Sequence, residues 1–173
     1  IKEELEHAEK SREIYLLSGG KQDQIAIDYT KLSYSFASEL PNPFRALAMS
    51  AQIFCCGETT AVPLFRALAD FAVVPQAKSL LEQILIDEAG HQFFGWALLD
   101  ELLLLLGADA KAWLRNHIQQ FTSSTIHAYS STDQFCSSED RAWGLMSGAE
   151  YQSIVNECME STIIPRFRSR GLV

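Results

Sequence analysis

This sequence predicts an all-α fold, an antiparallel bundle of long amphipathic helices, and three observations carry the prediction. Mostly apolar residues recur at three- and four-residue steps: Leu47, Ala51, Phe54, Glu58, Ala61 and Phe65 in one stretch, Ile84, Glu88, His91, Gly95 and Leu98 in another. That spacing lines one face of a helix. Helix-ending residues fall between such stretches, at Ser18-Gly19-Gly20, Pro41-Asn42-Pro43, Val73-Val74-Pro75 and Gly107. Finally, 173 residues with only five prolines and nine glycines, 47% of the chain being hydrophobic, can bury a core of single-domain size.

The elements follow in order. A first helix runs from about Lys2 to Leu17, rich in Glu, Lys and Leu, and stops at the glycine pair. Over residues 21–42 Ile25, Ile27, Tyr29, Leu32, Tyr34 and Phe36 partly alternate with polar residues. A strand would show such alternation, but a packed connector or short helix fits an all-helical chain better. The second helix is expected from Pro43 to Phe71, with Asn42 as N-cap, Pro43 in the first turn, and either a kink or a lost backbone bond at Pro63. A third runs from Gln76 to Leu106 and closes at Gly107, and a fourth covers Ala110 to Tyr129. A polar loop over Ser130–Ser138 leads to a last helix, Glu139 to Ile164, ended by Pro165.

Composition excludes some functions. A net charge of −8 leaves no basic stripe to offset phosphate repulsion, so nucleic acid is not an expected partner. Cys55, Cys56, Cys136 and Cys158 form no Cys-x-x-Cys pair, which argues against a thiolate zinc site and suits a reducing cytoplasm. No signal peptide is visible, and the run Leu102 to Leu106 is far too short to span a bilayer. It reads as core or as a partner interface. Phe54, Phe65, Phe93 and Phe94 read as core, with one or two free to line a channel. The basic run Pro165 to Gly171 reads either as a solvated tail or as a segment docked on an acidic face.

Chemistry enters through acids in apolar surroundings. Two Glu-x-x-His units occur, Glu4-Leu5-Glu6-His7 and Glu88-Ala89-Gly90-His91. Residues three apart share a helix face, so each carboxylate and imidazole can reach one metal ion. The second unit lies between Ile84-Leu85-Ile86 and Phe93-Phe94, where a charged Glu is costly unless something pairs it. Glu58 stands between the two units, a lone acid beside Phe54, Cys55, Cys56, Ala61 and Val62. His117 and His127 have no Glu at i−3 and read as surface or capping residues.

The order Glu-x-x-His, single Glu, Glu-x-x-His resembles helices two, three and four of the ferritin-like di-iron carboxylate proteins. Asp87-Glu88-Ala89-Gly90-His91 with Gly95-Trp96 is similar to the fourth bundle helix of bacterial ferritin-like oxygenase and oxidase relatives. Glu4-Leu5-Glu6-His7-Ala8-Glu9 is similar to their second. The resemblance covers residues 1–106, the metal-binding helices, with 107–173 as a helical extension of the same domain. It implies metal ligation by Glu4, His7, Glu58, Glu88 and His91, with Glu4 or Glu88 bridging. It also implies that Asp87 supports His7 and that Glu3 supports His91. The family's first helix, with one more Glu, is expected upstream of Ile1; failing that, Glu150 or Glu157 could substitute.

Such a ligand set suits two iron ions, or manganese, or a mixed pair. The function implied is that of a di-iron oxygenase or oxidase using O2 on a small organic substrate, served by an electron-donor protein, with a homodimer as the expected assembly. Two other functions are an iron oxidase or store of the same fold, and a non-catalytic helical interaction module with a vestigial metal site.

Overall fold

The computed structural model describes residues 2–21, 40–129 and 135–173. All the regular structure among them is helical. In order these are α1 (Lys2–Leu17), α2 (Asn42–Met49), a π-helical segment π1 (Ser50–Glu58), α3 (Thr59–Phe71), the long α4 (Pro75–Ala128), α5 (Ser138–Ala142), α6 (Gly148–Cys158), a second π segment π2 (Met159–Ile163) and α7 (Ile164–Ser169). Most of the connector expected over 21–42, and 130–134 of the polar loop, lie outside the described residues. No helix among the described residues is long and apolar enough to cross a membrane.

The helices begin and end for local reasons. α1 stops where Gly19 takes φ +97°, with Ser18 N–H and Gly20 N–H closing onto Ile14 and Tyr15 carbonyls. Asn42 is not the cap of α2; it is already helical, Pro41 holds the cap position at φ −55° and ψ 143°, and no side chain caps the end. Pro43 sits in the first turn, where a missing N–H costs nothing. α2, π1 and α3 run on as one continuous rod. Pro63 lies inside α3 and cannot donate to the Thr59 carbonyl one turn back. The Cys158 thiol lies 3.5 Å from that carbonyl and supplies a donor in its place.

The expected third and fourth helices meet at Gly107, which breaks α4 with φ +74° and ψ −155°. That conformation is nearly closed to any residue with a Cβ. The two halves then form a hairpin along the α2–π1–α3 rod. Glu88, Gly95 and Trp96 of the first half meet the rod at Glu58, Phe54 and Thr59. Trp113 of the second half packs edge-on against Phe44, 5.6 Å between ring centres, and Thr125 lines a cavity with Glu58.

The last helix differs from the expectation. It is broken into α5, α6, π2 and α7, because two Ser-x-x-acid capping boxes restart the chain. Ser137 with Asp140 opens α5 and Ser147 with Glu150 opens α6. Nor does Pro165 end it. The wider π2 turn precedes Pro165, which then sits in the first turn of α7, where it is tolerated. The basic run is docked: Phe167 and Leu172 are fully buried, and Arg170 forks onto Asp100 at 2.6 and 2.8 Å.

One core cluster draws on α2, π1, both halves of α4, α6, π2 and α7, including Leu47, Ala51, Cys55, Leu99, Leu114, Met159 and Phe167. One expectation about the core is corrected. Phe93 is 78% exposed and Phe94 52%, so only the Trp96 side of that apolar run faces inward. In the leucine run, Leu104 and Leu105 stand in solvent while Leu102, Leu103 and Leu106 pack on the core.

Candidate metal centre

Three helical segments bring the acids together. α1 lies against the first half of α4, and π1 packs on the other side of the same stretch. The close approach of π1 has a plain cause at Gly95: a Cβ there would stand 2.4 Å from Phe54 Cβ and 3.0 Å from its carbonyl carbon. The Gly95 carbonyl accepts the Ser50 hydroxyl at 3.3 Å and the Cys55 thiol at 3.5 Å, which pins the two backbones side by side. The π segment ends at Glu58, so its widened turns set the angle at which that carboxylate leaves the rod.

Glu4, Glu58, Glu88, His7 and His91, the five residues singled out from sequence, converge. His7 and Glu88 are buried, at 7% and 4% exposure. The histidines face the two motif glutamates symmetrically. His7 Nδ1 stands 3.8 Å from Glu4 Oε2 and 3.9 Å from Glu88 Oε1. His91 Nδ1 stands 3.2 Å from Glu4 Oε1 and 3.3 Å from Glu88 Oε2. Each glutamate therefore turns one oxygen to each imidazole. Ligand atoms of Glu4, Glu88 and His91 all lie within 4.8 Å of one another.

The outward nitrogens are fixed across the helix pair. His7 Nε2 meets Asp87 Oδ2 at 2.8 Å, and His91 Nε2 meets Glu3 Oε2 at 2.9 Å. Each acid lies one residue before the motif Glu of the facing helix. If the Nε2 atoms carry the protons and donate them, both Nδ1 lone pairs are left pointing inward. The bond from His7 holds the Asp87 carboxyl below its usual range, with the Gln83 amide adding to this. Burial opposes charge on His91, but the Glu3 bond and the nearby Glu88 and Glu4 outweigh it and raise its pKa.

Glu58 shows the strain of the arrangement. Burial first, then its hydrogen bond to Glu88 and the charges of Glu88 and Glu4, push its carboxyl up to about 9. No lysine or arginine among the described residues pairs with Glu4, Glu58 or Glu88. Clustered, partly buried carboxylates without a cation are costly. A metal ion would relieve that cost, and Glu4, Glu88 and His91 form a group that could hold one.

The other candidates are occupied elsewhere. Glu150 caps α6 and takes both nitrogen–oxygen contacts of Arg141, at 2.8 and 2.9 Å. Glu157 borders a different groove, beside Arg66 and Asp70. His117 donates its Nδ1–H to the Trp113 carbonyl, 2.7 Å away, and stacks on that indole. Sequence reasoning did not single out Thr59, whose hydroxyl receives the Trp96 indole N–H at 2.9 Å beside Glu58; a threonine next to a buried acid gives no periodic signal.

A cavity of about 490 Å³ opens against the cluster. Glu4, Glu58 and Glu88 form one wall, Ile53, Ala61 and Phe65 give it apolar surface, and Gln52, Ser124, Thr125 and Tyr129 add neutral polar groups.

No family model matches the chain, and no curated protein or solved structure matches it either.

Proposed function

We propose that the protein is a dinuclear iron (or iron–manganese) oxidoreductase of ferritin-like type that oxidises a small organic molecule with O2. The observation that carries this reading is the paired geometry of the cluster, in which Glu4 and Glu88 each present one oxygen to His7 and the other to His91. Two positions related in this way call for two ions rather than one. Glu4, Glu88, His7, His91 and Glu58 would hold them. When bound, such a pair supplies the reduction of O2 and the oxidising equivalents for the substrate.

The chain's own residues do the rest. Asp87 and Glu3 orient the imidazoles and would keep the proton on Nε2, so that Nδ1 stays available. Glu58 would give up its proton as cations arrive, since its raised pKa comes from burial and uncompensated negative neighbours. Ile53, Ala61 and Phe65 exclude water from the open side and offer an apolar surface to a substrate. That cavity, within the usual range for small-molecule sites, favours an organic substrate over iron itself as substrate.

Anaerobic loading with ferrous iron followed by elemental analysis tests the reading. About two irons per chain are expected, with two anomalous-scattering peaks about 3–4 Å apart between α1 and α4. Glu88→Ala should bring the content below one, because Glu88 faces both positions. Iron at background level in the unaltered protein would refute the proposal, and assembly into a 12- or 24-subunit shell that mineralises iron would favour storage instead.

A further inference from the structure

A second cavity, of about 510 Å³, is lined by Trp96, whose indole N–H bonds Thr59, and lies between the first half of α4 and α7. Its lining includes Phe93, Trp96, Ala97, Asp100, Arg166 and Arg170. The chemistry is opposite to that of the carboxylate cluster. On a chain of net charge −8, two guanidiniums and one carboxylate meet here. Asp100 is already taken by the fork of Arg170, at 2.6 and 2.8 Å. Arg166 forms no ion pair among the described residues; its guanidinium lies over the Trp96 ring, 5.3 Å from the centre, as Arg170 does at 4.8 Å. The indole is buried beneath them. Beside this charged wall Phe93 projects with 78% of its surface in solvent, next to the small side chains Ala89 and Ala97.

We propose that this cavity is a binding site for a small organic monoanion, a carboxylate carried on an aromatic or short aliphatic body. The carboxylate would pair with the free guanidinium of Arg166, whose planar fork matches two carboxylate oxygens. The body would cover Phe93 and Ala97, removing an exposed aromatic face from water. Arg170 offsets the charge of Asp100, so the pocket keeps the positive charge of Arg166. Because the Trp96 indole donates to Thr59 beside Glu58, a ligand here touches the residue that joins the two cavities.

The test uses metal-free protein, so that no carboxylate can bind through a metal, and 4-phenylbutyrate as the probe with 4-phenylbutanol as its uncharged counterpart. The Trp96 indole N–H resonance is followed in nitrogen-15 correlation spectra. A saturable shift with a dissociation constant on the order of 0.1–1 mM is expected for the acid. The alcohol should bind at least about tenfold more weakly, and Arg166→Gln should weaken the acid by at least about tenfold, as loss of a charge-assisted pair implies. Ala97→Phe, at an exposed position on the cavity wall, should fill the cavity and abolish the shift. No saturable shift up to 10 mM, equal affinity for acid and alcohol, or full binding by either Arg166→Gln or Ala97→Phe would overturn the assignment.

Discussion

At the scale of single residues, burial separates the four thiols. Cys55, Cys56 and Cys158 lie in the core, and burial pushes their thiols up, Cys56 to about 12. Only the thiolate reacts, so these three should resist alkylation in the folded protein. Cys136, half-exposed, should react first with iodoacetamide, and mass spectrometry of the native protein should find one labelled site before unfolding and four after. Glu58, Glu88 and His91 were legible in the sequence because each placed a charged or metal-seeking group against an apolar stretch, and Glu4 and His7 because they repeat the Glu-x-x-His spacing on a charged helix. Asp87 and Glu3 were legible only through the resemblance, since nothing in their own spacing says that the facing helix holds their partner. Phe93 misled for the converse reason. An aromatic residue in an apolar run looks like core, and only the direction of the helix face shows that Trp96 points inward and Phe93 does not.

At the scale of elements, helix boundaries came through where glycine forces them and failed at Pro165 and where side-chain caps decide. The stop at Gly19 and the break at Gly107 were marked in the sequence. The division of the last helix was not, because Ser137-x-x-Asp140 and Ser147-x-x-Glu150 look like ordinary polar residues within a helical pattern. The π segments were hidden too, since an added residue per turn leaves the composition unchanged. Glu150 has its carboxyl lowered to about 2, first by the Ser147 hydroxyl, then by the Ser147 N–H and Arg141. A lowered folded-state pKa stabilises above the unfolded value of about 4.3, and that stabilisation is lost as pH falls towards 2. Glu150→Ala should therefore cost about 1 kcal/mol or less at neutral pH, the group being partly exposed, with the difference shrinking below pH 4 in urea titrations. Gly95→Ala tests the contact between π1 and α4. The Phe54 Cβ and its backbone stand where the new methyl would go, so about 1–3 kcal/mol of stability should be lost in denaturant unfolding.

At the scale of the whole molecule, the C-terminal segment is part of the core. Phe167 is fully buried and packs on Trp96 with ring centres 4.9 Å apart. Phe167→Ala should cost about 3–5 kcal/mol in thermal or denaturant unfolding, and a single cooperative transition should persist, because one core cluster joins α2 to the chain's end.

The crossed bonds of α1 have a further consequence. Among the described residues that helix rests chiefly on α4, and His7–Asp87 and His91–Glu3 tie it at both ends of one short patch. The helix that would help grip the ions is thus itself fastened through the gripping side chains. Docking of α1 and filling of the centre would then draw on one shared free energy, so a chelator should loosen this helix and leave the remainder folded. Amide hydrogen exchange would show the loss of protection confined to residues 2–17.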